Sequence, residues 1–311
     1  MEGEMSYKIV TFHGKDGGSI TLADIGGFYL PITGYEAYMT KHLGRLCSGH
    51  LQARDDDVII CSYPKSGLHW IWEVVTMLMR NTSEPSIDLM EQHSFEFSSI
   101  KLLNGLRSPR VFVTHLTFDE LPQSFRERRC KIVYICRDPR AVAVSCFHYV
   151  RLMKVKGTDG RPVLYADWPD FLRFFQEGKV PFGSWISHIK AWDKVLTSRP
   201  GYPIYVINFE NTKRDPLKEI LKLNRFLGCK NSIELCTEIA NNTRIGKLRD
   251  AKAAISDKTS TEFFQDNKYP MYRKGETDDW KTLFTVKQNE DIIFGDIGKL
   301  RTSNIKLTSM L

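Results

Sequence analysis

A single α/β domain spanning residues 1–311, with a central, mostly parallel sheet flanked by helices, is what this chain predicts. Three observations carry the prediction. Four short apolar runs rich in β-branched or aromatic residues recur along the sequence, and stretches with helical spacing separate them. Polar turns that carry a cation or an imidazole follow the first three runs, at the strand ends where a parallel sheet gathers its ligands.

In chain order, residues 1–34 are glycine-rich and mixed and read as an N-terminal arm followed by short strands, and residues 35–48 have the spacing of an amphipathic helix covering one side of the core. The first apolar run is 58–61, followed by a helix over 69–80. The second is 110–114. The third is 131–136, leading into helices over 139–153, 168–178 and 183–197. The fourth is 203–208, followed by a helix over 215–227. This alternation is that of a parallel sheet covered on both faces. From 241 to 269 the pattern loosens into polar and charged residues, which reads as a mobile lid over a site. No internal repeat and no low-complexity linker interrupts the chain.

The formal charge of +7 suits an anionic partner, yet lysine and arginine are spread without long basic blocks. A compact anionic ligand therefore fits better than nucleic acid. The seven cysteines are an odd number without a Cys-x-x-Cys pair, and no histidines cluster at zinc-ligand spacing. Reduced packing cysteines and no metal are expected. No run approaches the ~20 apolar residues that cross a bilayer, and the start of the chain lacks the unbroken apolar stretch of a secretion signal. A cytoplasmic protein with no membrane partner is the expectation.

The most informative motif is Ser62-Tyr63-Pro64-Lys65-Ser66-Gly67-Leu68-His69-Trp70. It follows the first apolar run and opens a helix, so its unpaired backbone N–H groups point at a place for an anion. Lys65 adds a full charge where the helix dipole is already positive, and Trp70 offers an aromatic face for a purine. Taken alone, Pro-Lys-Ser-Gly is also an ordinary turn. The full Gly-x-x-x-x-Gly-Lys-Ser/Thr loop of nucleotide hydrolases is absent, as are kinase and dinucleotide fingerprints, which counts against ATP.

Arg137-Asp138-Pro139-Arg140 is good helix-start grammar whatever its function, with Asp138 as N-cap and Pro139 at the first helical position. Ser145 lies about two turns further on the same face and can approach the same pocket. A second cationic turn, Arg273-Lys274-Gly275, sits far downstream. His115 ends the second run at the edge where substrates enter. A lone histidine is most often a core or surface residue, but a neutral imidazole there is suited to taking a proton from a hydroxyl near pH 7.

The loop at Tyr63-Pro64-Lys65-Ser66-Gly67 with Trp70 resembles the 5′-phosphosulfate loop of the cytosolic sulfotransferases, and the resemblance runs over nearly the whole chain. It implies a P-loop-like phosphosulfate-binding loop and 3′-phosphoadenosine 5′-phosphosulfate (PAPS) as donor, with PAP as product. It also implies in-line transfer, without metal, to a hydroxyl or amine of a small-molecule acceptor. His115 would be the general base, Lys65 and the loop N–H groups would stabilise the leaving phosphate, and Ser145 would hold Lys65 back until acceptor arrives. By the same resemblance the donor is held by Lys65, Ser66, Gly67, Leu68, His69 and Trp70, with Trp70 against adenine. Arg137 and Ser145 would take the 3′-phosphate, Phe209, Thr243 and Ile245 the adenine region, and Arg273, Lys274 and Gly275 would complete the phosphate site.

Phe28, Phe95, Phe97 and Tyr149 read most simply as core residues, and the resemblance implies that these positions line the acceptor pocket. Lys281, Thr285, Val286 and Glu290 fit the family's short dimer motif and imply a homodimer of modest strength. Five positions depart from the family pattern. Val113 stands where a lysine is usual, Leu68 and His69 replace a Thr-Thr pair, Phe209 replaces a tyrosine, and Asp278 replaces a glycine. His69 is expected to compensate in part for the missing lysine, and Asp278 to bring negative charge near the phosphate turn. The alternative reading keeps the fold but has a PAP- or PAPS-binding protein with little transferase activity.

Overall fold

The computed structural model describes residues 6–32, 42–44, 46, 49–154, 156, 160–253, 270–300, 303–305 and 307. Within them the eight strands form two sheets. Strands β1 (Lys8–His13), β2 (Ser19–Ile25) and β3 (Phe28–Pro31) make an antiparallel meander, and β4 (Val58–Ser62), β5 (Val111–Thr114), β6 (Lys131–Cys136) and β8 (Ile204–Asn208) make a parallel sheet. The short β7 (Leu164–Tyr165) pairs antiparallel with β2.

Each of the four predicted runs becomes a strand of the parallel sheet, in the spatial order β5-β4-β6-β8. All five residues of β4 are buried, as expected of a strand covered on both faces. Alternate side chains point to opposite faces, and the two cores divide accordingly. Val58 and Ile60 pack with Ile71, Val75 and Leu223 on one side, while Ile59 and Cys61 join Phe112, Tyr134, Phe171 and Trp192 on the other. The helices Leu68–Arg80, Pro139–Arg151, Trp168–Gln176, Trp185–Ser198 and Pro216–Leu227 match the predicted helical stretches with ends shifted by one to two residues. Their caps explain the ends. Asp138 Oδ1 accepts from Arg140 N at 2.9 Å at one start, and Gly228, at φ 80°, closes the helix Pro216–Leu227.

The order of strands has a consequence for the site. From β4 the chain leaves towards β5, and from β6 it leaves towards β8, so the loops after β4 and β6 diverge and open a crevice between them. Those two loops are the ones that carry Lys65 and Arg137.

The N-terminal reading needs correction. The short strands expected there are present, but residues 8–31 form a sheet built into the main core rather than an arm, with every residue of β2 buried. The alternation Ser19-Ile20-Thr21-Leu22 is short, and the glycines at 17, 18, 26 and 27 on either side dominate the sequence signal. The described glycines of this segment sit in the two turns of the sheet: Gly14, Gly17 and Gly18 between β1 and β2, and Gly26 and Gly27, at φ 63° and 94°, between β2 and β3. Of the helix expected over 35–48, only 42–44 and 46 are described, and they are helical. In the expected lid, residues 245–253 are helical and 254–269 lie outside the described residues. Among the described residues no helix is long and apolar enough to cross a membrane.

Candidate active site

A cavity of about 790 Å³ opens over the carboxyl ends of β4, β5 and β6, lined by Lys65, Gly67, His69, Trp70, His115, Arg137, Ser145, Phe209, Arg273 and Gly275 together with apolar residues. The two cationic turns, distant in sequence, therefore meet in one hollow. Their charges act on each other: desolvation lowers the Lys65 ammonium to about 8, and Arg137 and Arg273 push it the same way.

The loop after β4 is held open by backbone geometry. Lys65 and Gly67 take φ 64° and 102°, and Gly67 is the N-cap of the helix Leu68–Arg80 without any side-chain cap. The first bond back within the helix runs from Ile71 N to Gly67 O at 3.1 Å, so the preceding turn of N–H groups faces the cavity rather than the helix. A Cβ on Gly67 would stand 2.6 Å from the Phe209 ring. Gly67→Ala combines that clash with a strained φ, and strain of roughly 1–3 kcal/mol predicts a 10- to 100-fold loss of affinity for an adenosine 3′,5′-bisphosphate by calorimetry, with an unchanged far-UV circular dichroism spectrum.

Arg137 locks the crevice. It donates through Nη1 to Lys65 O at 2.8 Å and through Nη2 to Glu276 O at 3.1 Å, and its guanidinium lies over the Phe209 ring at 4.2 Å. Trp70 meets the same ring edge-on at 5.5 Å, so Trp70 and Phe209 form an aromatic corner. Thr243 is buried with its hydroxyl on Ile239 O at 2.8 Å, and Ile245 packs so closely on Gly275 that a Cβ there would lie 2.6 Å from it. Three buried polar atoms in this region, Ser66 Oγ, Trp70 Nε1 and Arg137 Nε, have no hydrogen-bond partner among the described residues. Unsatisfied buried donors are costly, and a polyanion with an adenosine body supplies the acceptors they lack.

Several expectations are revised here. Lys65 Nζ contacts Met271 Sδ at 3.4 Å and lies 4.3 Å over the Tyr149 ring, and no hydrogen bond joins it to Ser145, which lines the cavity nearby. His69 does not replace the missing cation: desolvation drops its pKa to about 4, so it is neutral at pH 7 even though Glu91 Oε1 stands 3.6 Å from its Nε2. Asp278 pairs with Lys281 at 3.2 Å and is well exposed. The carboxylate that meets the phosphate turn is its neighbour Asp279, which accepts from both Arg273 and Lys274. Burial works to raise the Asp279 pKa, but the hydrogen bonds from Lys274 and Arg273 outweigh it and hold it below the ordinary value.

His115 is oriented by its neighbours. Its Nδ1 lies 2.8 Å from Ser62 O, and a carbonyl can only accept, so Nδ1 carries the proton and Nε2 keeps its lone pair. Its backbone N–H donates to the buried Glu96 carboxylate, which also accepts from Thr114 Oγ1 at 2.8 Å. His188, wedged under Tyr134, lies 3.2 Å from the His115 carbonyl. Desolvation lowers the His115 pKa more than Glu96 raises it, so the imidazole is a neutral base at pH 7.

The acceptor end of the cavity differs from the expected set. Phe97 and Tyr149 line it. Phe95 does not: it is fully buried, packed between Phe112 and Phe125, because a turn over 95–97 sends its ring into the core and leaves Phe97 on the cavity side. Phe28 reaches the site only through Phe182, against which it stacks edge-on at 5.5 Å. Phe182 itself was not expected. It sits at φ 67°, donates its N–H to Tyr29 O at 2.7 Å, and meets the His115 ring at 4.7 Å. A non-glycine residue in the left-handed region is strained, and its surroundings hold it there with the ring against His115. The available signal was its place in Pro181-Phe182-Gly183. Glu96, Glu91, Met271 and Tyr272 also line or order the site and carry no motif by which sequence alone would single them out.

Comparison with known proteins gives a consistent result. A sulfotransferase domain model matches residues 55–293. Sulfotransferase 1E1 of Cavia porcellus is 37% identical over 252 residues, covering 77% of this chain and 81% of that protein. Sulfotransferase 1E1 of Homo sapiens is 33% identical, with 77% and 82% covered. Among solved structures, mouse sulfotransferase SULT7A1 complexed with PAP superposes with a TM-score of 0.70 at 30% identity, over 91% of this chain and 96% of that one. Retinol dehydratase in complex with androsterone and PAP reaches a TM-score of 0.73 at 18% identity, over 99% and 94%, which shows a shared fold.

Proposed function

Since this chain belongs to the sulfotransferase family and uses PAPS to sulfate a small-molecule acceptor, we propose that His115 is the general base, Lys65 the cation on the leaving phosphate, and the crevice between the loops after β4 and β6 the donor site. The donor supplies an activated sulfuryl group attached to a phosphate that leaves. The observation that carries the assignment is the convergence of Lys65, Arg137, Arg273 and His115 on one cavity.

Residue by residue, Lys65, Ser66, Gly67, Leu68 and His69 would cradle the 5′ end, with His69 contributing its backbone rather than charge. Arg137, Ser145, Arg273, Lys274 and Gly275 would hold the 3′-phosphate, and Trp70, Phe209, Thr243 and Ile245 the adenine. Ser66 Oγ, Trp70 Nε1 and Arg137 Nε fit this ligand because they are buried donors in need of acceptors. His115 Nε2 would take the acceptor's proton as the acceptor oxygen or nitrogen advances, and the Ser62 carbonyl would stabilise the imidazolium that forms. Lys65, kept only partly solvated, would stabilise charge growing on the leaving phosphate. The aromatic walls Phe97, Tyr149 and Phe182 would orient the acceptor. The alternative of a binding protein without turnover finds no support in a site that retains an oriented base.

The same reading places the protein in the cytoplasm as one domain, with 241–269 as a cover. A homodimer through Lys281, Thr285, Val286 and Glu290 is supported by the capped helix Val286–Ile292, on which Val286 is 75% exposed, with Phe294 also exposed beyond it.

Thermal melting with PAP and with ATP-Mg tests the donor assignment. PAP at 100 times its Kd is expected to add about 2.7 kcal/mol of stability, and ATP-Mg far less at equal concentration. Equal shifts, or none with PAP, would remove the proposal. A screen of alcohols and amines with labelled donor then identifies the acceptor.

A further inference from the structure

The helical segment 245–253 makes polar contacts with the second cationic turn and with the helix that follows the donor loop, and nothing in the motifs required it to do so. From one end, Lys252 reaches into the protein and is only 4% exposed. Its Nζ lies 2.5 Å from Glu73 Oε1 and donates to Ser86 O at 2.5 Å and Asp88 O at 3.1 Å. Glu73 is fully buried on the helix Leu68–Arg80, the helix whose N-terminus forms the donor loop, and its other oxygen accepts from Ser86 N at 2.9 Å. From a neighbouring turn, Arg249 donates through Nε to Tyr272 O at 2.9 Å and through Nη2 to Arg273 O at 2.8 Å. Those carbonyls lead into and open the second cationic turn.

We propose that segment 245–253 is a strut that sets the spacing between the donor loop and the Arg273–Gly275 turn, with Lys252 and Arg249 as positioning residues for donor binding. The inference rests on the donor reading above. Glu73 and Lys252 are both withdrawn from water, and a buried ion pair is tolerated only when its hydrogen bonds are filled. Here Lys252 pairs with the Glu73 carboxylate and donates to two carbonyls, Ser86 O and Asp88 O, which fixes its end of the strut. Arg249 uses a rigid planar fork on two successive carbonyls, which fixes the other end. Since a bisphosphorylated nucleotide is gripped from both turns, an error in their separation weakens its binding without touching the acceptor end.

The test compares PAP affinity by calorimetry with melting temperature. Lys252→Met leaves Glu73 unpaired and is expected to lower the melting temperature. Glu73→Gln/Lys252→Met removes both charges and is expected to recover most of it. If the strut positions the donor site, the double variant still binds PAP on the order of tenfold more weakly than the parent, with the KM for acceptor at saturating donor unchanged. Arg249→Ala is expected to show the same weakening, and Arg249→Lys to restore part of it. PAP affinities equal to the parent's in the double variant and in Arg249→Ala would overturn the strut while leaving the donor reading intact. Failure of the parent itself to bind PAP would overturn both.

Discussion

His115→Ala is expected to lower the rate of sulfuryl transfer by ~10²–10⁴ while PAP affinity stays near the parent's. The argument is geometric first. The Ser62 carbonyl holds the Nδ1 proton, leaving Nε2 as the basic atom, and the Phe182 ring packed at 4.7 Å restricts rotation of the imidazole. The same site predicts the pH dependence. Desolvation lowers the His115 pKa, so the neutral, basic form is populated from mildly acidic pH upward and kcat/KM rises through that lowered value. Lys65 must stay protonated to act as a cation, and in the free enzyme it loses its proton near about 8. Donor-limited kcat/KM should therefore be bell-shaped with its basic limb near that value. Under saturating donor the phosphates favour the ammonium, and the basic limb should move up. In His115→Ala the acidic limb should vanish. A variant that turns over donor at the parental rate, or keeps the acidic limb, would remove His115 from the mechanism.

Arg110→Met is expected to destabilise the fold by about 3–5 kcal/mol, read from the urea midpoint. Arg110 and Asp57 face each other at the entrances of β5 and β4, with both side chains fully buried. Their contact is two-pronged, Nε to Oδ1 at 2.8 Å and Nη2 to Oδ2 at 2.5 Å, and Arg110 also donates to Gln52 O at 2.8 Å. Methionine keeps much of the volume but leaves Asp57 as a buried, uncompensated carboxylate. The cost therefore comes from the stranded charge more than from a lost contact. Asp57→Asn/Arg110→Met, which removes both charges, should regain a large part of the stability. If the single variant unfolds at the parental midpoint, the pair is not a significant support of the sheet. The pair ties β4, which delivers Lys65, to β5, which delivers His115, so total activity should follow the folded fraction, and activity per folded molecule should keep the parent's pH profile.

Much of the site was legible because its signals are local. A strand, a glycine at positive φ and a helix start lie within a dozen residues around Lys65, and at Arg137 a strand leads into a helix start capped by Asp138 with Pro139 at its first position. His69 shows the limit. Its residue type suggested a charge near the phosphates, yet charge depends on solvation, and burial leaves it neutral. Asp278 and Asp279 show another. Adjacent residues point in different directions, and which of the two meets Arg273 is set by the short helical turn that follows. Phe95 and Phe97 were equal candidates for the pocket until the backbone placed one in the core and the other on the cavity wall.

The sequence by itself determined the strand runs, the helix starts, the two cationic turns and the histidine at a strand end, since each depends on propensity, capping and spacing over a few residues. Only the tertiary structure decided that the N-terminal residues build a buried sheet, that Phe182 closes on His115, and that Lys252 reaches Glu73. Those outcomes depend on packing and desolvation between segments far apart in the chain, where the short-range pattern carries no information about which partners meet.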